Sequence, residues 1–216
     1  MQLNQDYSQR VVIEADAVPW VPSPSAGVHR KMLERKGEEL AKATSIVRYD
    51  PGCEFPLHQH PGGEEIVVLE GVFEDEHAQY PAGSYLKNPV GSAHAPRSAG
   101  GCLIFVKLMY MQPDDSLQVV RSLNDDLWHP GHSSGSSVMV LSAFKDEYSV
   151  FVRLDPHAGF TFNARPNGKE VLVLGGSYSD DCGEYTQYTW IRSPRNQSQI
   201  KAGPQGCTLF FKTGHF

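Results

Sequence analysis

The chain has 216 residues and no apolar run of transmembrane length, which argues against a membrane-spanning helix. Its first residues, MQLNQDYSQR, lack the hydrophobic stretch of a secretory signal, so a cytoplasmic protein is expected. It has no C-x-x-C pair; Cys53, Cys102, Cys182 and Cys207 are scattered. Without an export signal they read as reduced thiols that pack as small apolar groups. An excess of basic residues is also missing. The net charge of −6 excludes a nonspecific nucleic-acid surface, which needs a basic face.

What is present is a series of short apolar runs punctuated by Gly and Pro. Three prolines between Val18 and Ser25 forbid a regular helix there, and Trp20 is expected to pack onto the body of the protein. Val11–Ile13, Val28–Arg35, Ala43–Tyr49, Gly71–Glu76, Ser84–Lys87 and Leu103–Met111 read as strands. Glu38–Lys42 reads as a charged hairpin loop. Many short strands of this kind predict a β-sandwich or barrel.

The chemistry concentrates between Gly52 and His94. Residues i and i+2 of a strand share a face, so His58 and His60 can aim two imidazoles at one point. Pro61-Gly62-Gly63 is turn chemistry. It leads into a strand that opens with Glu64 and continues through Ile66, Val67, Val68 and Leu69. A second turn at Pro89-Val90-Gly91 precedes His94. Three imidazoles and one carboxylate suit zinc, iron, manganese or nickel. Glu65, adjacent to Glu64, must face the other way and is given a structural role.

Gly52, His58, His60, Glu64 and Gly71 fill G-x5-H-x-H-x3-E-x6-G, and Gly83, Pro89, Gly91 and His94 fill G-x5-P-x-G-x2-H. Together they resemble the two metal motifs of the cupin superfamily. The wording HQHPGGEEIVVLEGVFEDE and YPAGSYLKNPVGSAH is similar to that of the ChrR-like cupins, including the anti-sigma factor ChrR's C-terminal domain, and to that of the acetylacetone-cleaving dioxygenases. The resemblance implies a jelly-roll (double-stranded β-helix) barrel and a divalent metal, zinc first and iron, manganese or nickel as alternatives, on His58, His60, Glu64 and His94.

The second half repeats the first. At a constant shift of 105, residues 47–111 lie on residues 152–216: VRYDPGCEF on VRLDPHAGF, EEIVVLEGVFED on KEVLVLGGSYSD, GGCLIFVK on QGCTLFFK. The expected fold is therefore all-β, a bicupin of two tandem barrels. Residues 1–112 form a metal-bearing N-terminal cupin and residues 113–216 a degenerate C-terminal one. The repeat serves as an internal control. His58, His60, Glu64 and His94 become Asn163, Arg165, Lys169 and Gln199, while framework positions such as Phe55/Phe160, Gly71/Gly176 and Pro89/Pro194 persist. These four replacements are expected to converge where the metal would sit. Arg165 and Lys169 would then pair with acids such as Glu170 or Glu184, or hold a small anion. His29, His77, His129, His132, His157 and His215 match neither motif and are assigned to surface or loops.

For function, the resemblance implies a zinc-bound regulatory or sensing protein related to anti-sigma factors of the oxidative-stress response, without their sigma-binding helical domain. The alternative is an iron or manganese dioxygenase acting on a small diketone or enol, with Phe55, Ile66 and Val68 shaping the pocket. A metal-stabilised barrel without turnover is the third reading. The partners implied are a protein (a sigma factor or another regulator) or a small-molecule ligand, with no nucleic acid and no membrane. A homodimer is compatible with all three.

Overall fold

The computed structural model describes residues 1–37, 41–163, 168–195 and 197–216. They form two compact units, Met1–Gln5 with Val18–Asn124 and Asp6–Ala17 with Asp125–Phe216. The all-β, two-barrel architecture is what forms: among the described residues the helical content is one 3-10 turn at Ala15–Ala17. Among the described residues no helix is long and apolar enough to cross a membrane. The expected hairpin loop at Glu38–Lys42 falls mainly outside the described residues.

In the first unit the large antiparallel sheet runs in the order Gln2–Leu3, Val28–Lys36, Lys42–Tyr49, Cys102–Leu108, Glu64–Glu74, Ser84–Asn88, Val119–Ser122. Facing it are short pairs: Cys53–Glu54 with Arg97–Ser98, and His58–Gln59 with Ala93–His94. Strand Glu64–Glu74 serves both layers. Its first half pairs with Cys102–Leu108 and Ser84–Asn88, its second half with Gln79–Pro81. The change of layer occurs at Gly71, with φ of 70°, beside a register shift between Leu103 and Ile104. A Cβ there would lie 2.2 Å from the Gly101 carbonyl oxygen, so only glycine fits. Alternation along the strand turns Ile66 and Val68 inward with Val47, Tyr49, Ile104 and Val106. Trp20 lies against this sheet, its ring under Lys31 and Arg48 at 4.8 and 4.7 Å.

The second unit repeats the plan as His129–Pro130, Ser136–Phe144, Glu147–Leu154, Gln197–Thr213, Lys169–Asp180, Thr189–Ser193, Val11–Glu14. Its Gly176 repeats the Gly71 bend at φ 69°. The units depart from a division at 112/113 in both directions. Val11–Glu14 pairs with Thr189–Ser193, and Val119–Ser122 pairs with Ser84–Asn88. The two arms, which share a Val-Val start, thus complete equivalent sheet edges, each in the unit formed mainly by the other half. An edge strand leaves unpaired backbone groups, and an arm that pairs with it satisfies them.

Candidate metal centre

The turn Pro61-Gly62-Gly63 places His60 and Glu64 on one centre. The Gly63 N–H closes it onto the His60 carbonyl at 3.2 Å, and the Gly91 N–H donates to the same oxygen at 2.9 Å. The His60 N–H donates to the Ser92 carbonyl at 2.9 Å. Across the short ladder His94 stands directly opposite His58. The imidazole centroids lie 5.0 Å apart for His58/His60, 5.1 Å for His58/His94 and 4.7 Å for His60/His94. Glu64, first residue of its strand, completes the group. One ligand atom from each of the four residues lies within 4.8 Å of the others. His60, Glu64 and His94 are buried; His58 is half-buried.

The hydrogen bonds decide which ring nitrogens carry protons. His58 Nδ1 lies 2.9 Å from the Pro56 carbonyl, which can only accept, so Nδ1 holds the hydrogen and Nε2 a lone pair. The Ser92 hydroxyl spends its one hydrogen on the Pro89 carbonyl at 2.6 Å and must accept from His60 Nδ1 at 2.9 Å. His60 Nε2 therefore also carries a lone pair. The two Nε2 atoms stand 3.2 Å apart, and His60 Nε2 is 3.3 Å from Glu64 Oε2. His94 Nδ1 faces the Asp75 carboxylate at 3.6 Å, which favours a hydrogen there. Its Nε2, 3.4 Å from Glu64 Oε2, is buried without a hydrogen-bond partner. Three lone pairs and a carboxylate thus converge with no donor hydrogen among them. A cation resolves that repulsion.

A proton on an imidazole serves poorly as that cation. Burial, then the neighbouring His94 and His58, push His60 down to about 3. Burial and His58 also lower His94, against the pull of Asp75. Burial raises Glu64 to about 7, opposed by the Asn88 amide that donates to it at 3.0 Å. A divalent ion would neutralise the carboxylate and take up the three imidazoles together. The donor set fits a borderline metal, and each donor is oriented from behind by a second group.

Those supporting groups were not singled out in the sequence. Asp75 accepts from the backbone N–H groups of His77 at 2.8 Å and Ala78 at 3.0 Å, and from the Tyr80 hydroxyl at 3.2 Å. Burial and then Asp75 raise Tyr80 to about 12. Asn88 and Ser92 flank the turn of the second motif; only their place inside that motif pointed to them. Phe55 packs its ring 5.0 Å from His58, and Phe73 packs 5.9 Å from His94. Glu65 faces away from the centre and accepts from the Tyr85 hydroxyl at 2.6 Å.

The second barrel departs from expectation. Asn163 and Gln199 are exposed while Lys169 is buried, so these three do not converge; Arg165 lies outside the described residues. The cause is a changed ladder. Pro56, which interrupts pairing in the first barrel, is replaced by Thr161, and Gly159–Asn163 pairs continuously with Gln197–Lys201. Lys169 Nζ donates to the Arg195 carbonyl at 2.7 Å rather than pairing with Glu170 or Glu184, and burial lowers it to about 8. Asp180, the counterpart of Asp75, keeps its tyrosine (Tyr185, 2.8 Å) but pairs with Arg10 at 3.0 Å instead of a histidine. His215 is not a surface residue. It is buried, with Nε2 3.0 Å from Glu170.

A sequence model described as the ChrR cupin-like domain matches residues 8–112 and again 117–216. No curated protein matches the chain. Among solved structures, a Nostoc punctiforme protein with the provisional label of dioxygenase aligns at TM-score 0.74 and 14% identity, over 97% of this chain and 84% of its own. The bacterial pirin YhhW from Escherichia coli, in complex with nickel(II), aligns at 0.70 and 12%, over 96% and 100%. A cupin 2 conserved barrel domain protein from Leptotrichia buccalis aligns at 0.63 and 11%, over 94% and 95%. At these identities the likeness concerns the fold.

Proposed function

The chain belongs to the ChrR cupin-like family through both of its halves, and on that premise we propose that its first barrel is a divalent-metal centre that binds and converts a small molecule. His58, His60, Glu64 and His94 hold the ion. The observation that carries this reading is the set of three Nε2 lone pairs and one carboxylate, all within 4.8 Å and without a donor among them. When bound, the ion supplies Lewis acidity to a substrate oxygen and, if it is iron or manganese, one-electron redox chemistry. Ser92, Asp75, Asn88 and the Pro56 carbonyl keep the four donors in the tautomer and orientation that ligation needs. The partial exposure of His58, against three buried donors, marks the side from which a small molecule reaches the centre. Phe55, packed on His58, gives that approach an apolar wall. The dioxygenase label of the Nostoc neighbour is consistent with oxygen chemistry on an enol or diketone.

The family match favours a second reading, a zinc-bound sensing barrel whose partner is a sigma factor or another regulator. Four protein donors close a tetrahedron around zinc, so resident zinc would point there. Oxygen uptake by iron- and by manganese-loaded protein, with acetylacetone as substrate, separates the two. Turnover that is lost in His58→Ala supports the enzyme. Absence of turnover with both ions, together with stoichiometric zinc in the purified protein, would replace it with the sensor.

A further inference from the structure

Strand Val28–Lys36 begins with a core residue, Val28, and alternation puts Arg30 on the same interior face. The register agrees. Arg30 stands directly opposite Val47, itself in the core, and residues opposed across an antiparallel ladder share a face. Arg30 is half-buried, and its Nε is buried with no hydrogen-bond partner. Among the described residues no acid pairs with the guanidinium; the charge that acts on it is another cation, Arg35. A partly buried cation without acceptors is costly to the fold, and a structural role would have provided it an acid.

The duplication supplies the comparison. Val138 holds this place in the second barrel, opposite Val152 as Arg30 is opposite Val47, and residue 152 aligns with residue 47. The barrel without the four donors therefore also lacks the cation. It has instead a cleft of about 220 Å³ bounded by Val138, Phe160, Phe162, Phe211 and Asn163 among others. Phe160 aligns with Phe55, and Asn163 with His58. Carried over to the first barrel, Val138 and Phe160 become Arg30 and Phe55, and Phe55 packs its ring 5.0 Å from the donor His58.

From these placements we propose that Arg30 is the anion-holding residue of the metal barrel, and that its substrate is a small carboxylate: an oxo acid or enol acid whose carboxylate pairs with the guanidinium while its other oxygen faces the four donors. This rests on the metal reading of that site. The planar guanidinium offers a carboxylate two parallel hydrogen bonds, which a point charge does not.

The test uses two probes of nearly equal size: acetoacetate, and acetylacetone, which has a methyl group in place of the carboxylate's charged oxygen. Each is titrated calorimetrically into the full chain loaded with manganese(II), whose metal content is measured first. Arg30→Val copies the second barrel. It is expected to weaken acetoacetate about tenfold to a hundredfold, to leave acetylacetone within about twofold, and to raise the melting temperature of the ligand-free protein, because an unpaired cation is removed. Arg30→Lys keeps the charge without the fork and is expected to fall between. Equal acetoacetate binding in wild type and Arg30→Val overturns the proposal. So does a variant that loses both probes with a lowered melting temperature, since Arg30 would then be structural. A wild-type protein that takes up none of manganese, zinc, iron or nickel removes the metal reading instead. Arg30 is then judged by the same titrations on metal-free protein, where selective loss of acetoacetate supports it and equal binding overturns it.

Discussion

Ser92→Ala changes no proposed donor, yet it is expected to cost metal affinity. The Ser92 hydroxyl donates to Pro89 at 2.6 Å and for that reason accepts from His60 Nδ1 at 2.9 Å. Without it the buried Nδ1–H has no acceptor, a penalty of about 1–3 kcal/mol. The imidazole can avoid that penalty by moving its hydrogen to Nε2, where His58 Nε2 at 3.2 Å and Glu64 Oε2 at 3.3 Å would both accept. That tautomer has no lone pair to give. The metal must reverse it, so affinity is expected to fall about tenfold to a hundredfold, roughly 1.4–2.8 kcal/mol. The melting temperature of the metal-free protein should hardly change, because one hydrogen bond replaces another. Competition against a chelating dye at pH 7.5 reads the affinity, and nitrogen-15 chemical shifts of the His60 ring read the tautomer. Ser92→Thr, which keeps the hydroxyl, should restore both. Affinity within twofold of wild type in Ser92→Ala would refute the tautomer argument.

Four further outcomes are expected. Because Glu64 is raised to about 7 in the metal-free protein, binding a metal below that pH displaces its proton. Affinity should fall about tenfold per pH unit below 7 and level off above it, and Glu64→Gln should abolish the slope. The same raised pKa means that the contribution of Glu64 to metal-free stability is fully present below pH 4.5 and lost as the pH rises through 7, which melts across that window would record. Saturating metal at a thousandfold excess over its Kd should stabilise the protein by about 4 kcal/mol, seen as a higher melting temperature that a chelator reverses. Gly71→Ala should destabilise by about 2 kcal/mol or more in denaturant titration, since alanine at φ 70° is strained and its Cβ meets the Gly101 carbonyl at 2.2 Å; an unchanged midpoint would contradict the assigned bend.

The strands were legible because their apolar residues alternate and Gly or Pro ends them, as in Ala43–Tyr49 and Ser84–Lys87. The candidate site was legible because its chemistry is local. His58 and His60 lie two apart, Glu64 follows one turn, and the repeat separates Glu64, which becomes Lys169, from Glu65, which persists as Glu170. What was not legible depends on pairing between distant segments. The exchange of Val11–Glu14 and Val119–Ser122 between sheets rests on edge pairing, to which strand patterns within either half are blind. The outward turn of Asn163 and Gln199 follows from a ladder that becomes continuous once Pro56 gives way to Thr161. Asp75, Ser92 and Arg30 act through partners, or the lack of one, that only the folded chain reveals. His215 is assigned to the surface because it matches neither motif, yet the chain beyond the last strand brings it to Glu170 in the interior.

The central claim is that these four side chains hold a metal ion. Elemental analysis of protein purified without added metal, beside the Glu64→Gln and His94→Gln double variant, tests it most directly. The expected result is about one divalent ion per chain in the wild type and none in the variant. A wild type that carries no metal and takes none up from zinc, iron, manganese or nickel solutions, or a variant that holds as much as the wild type, would contradict it.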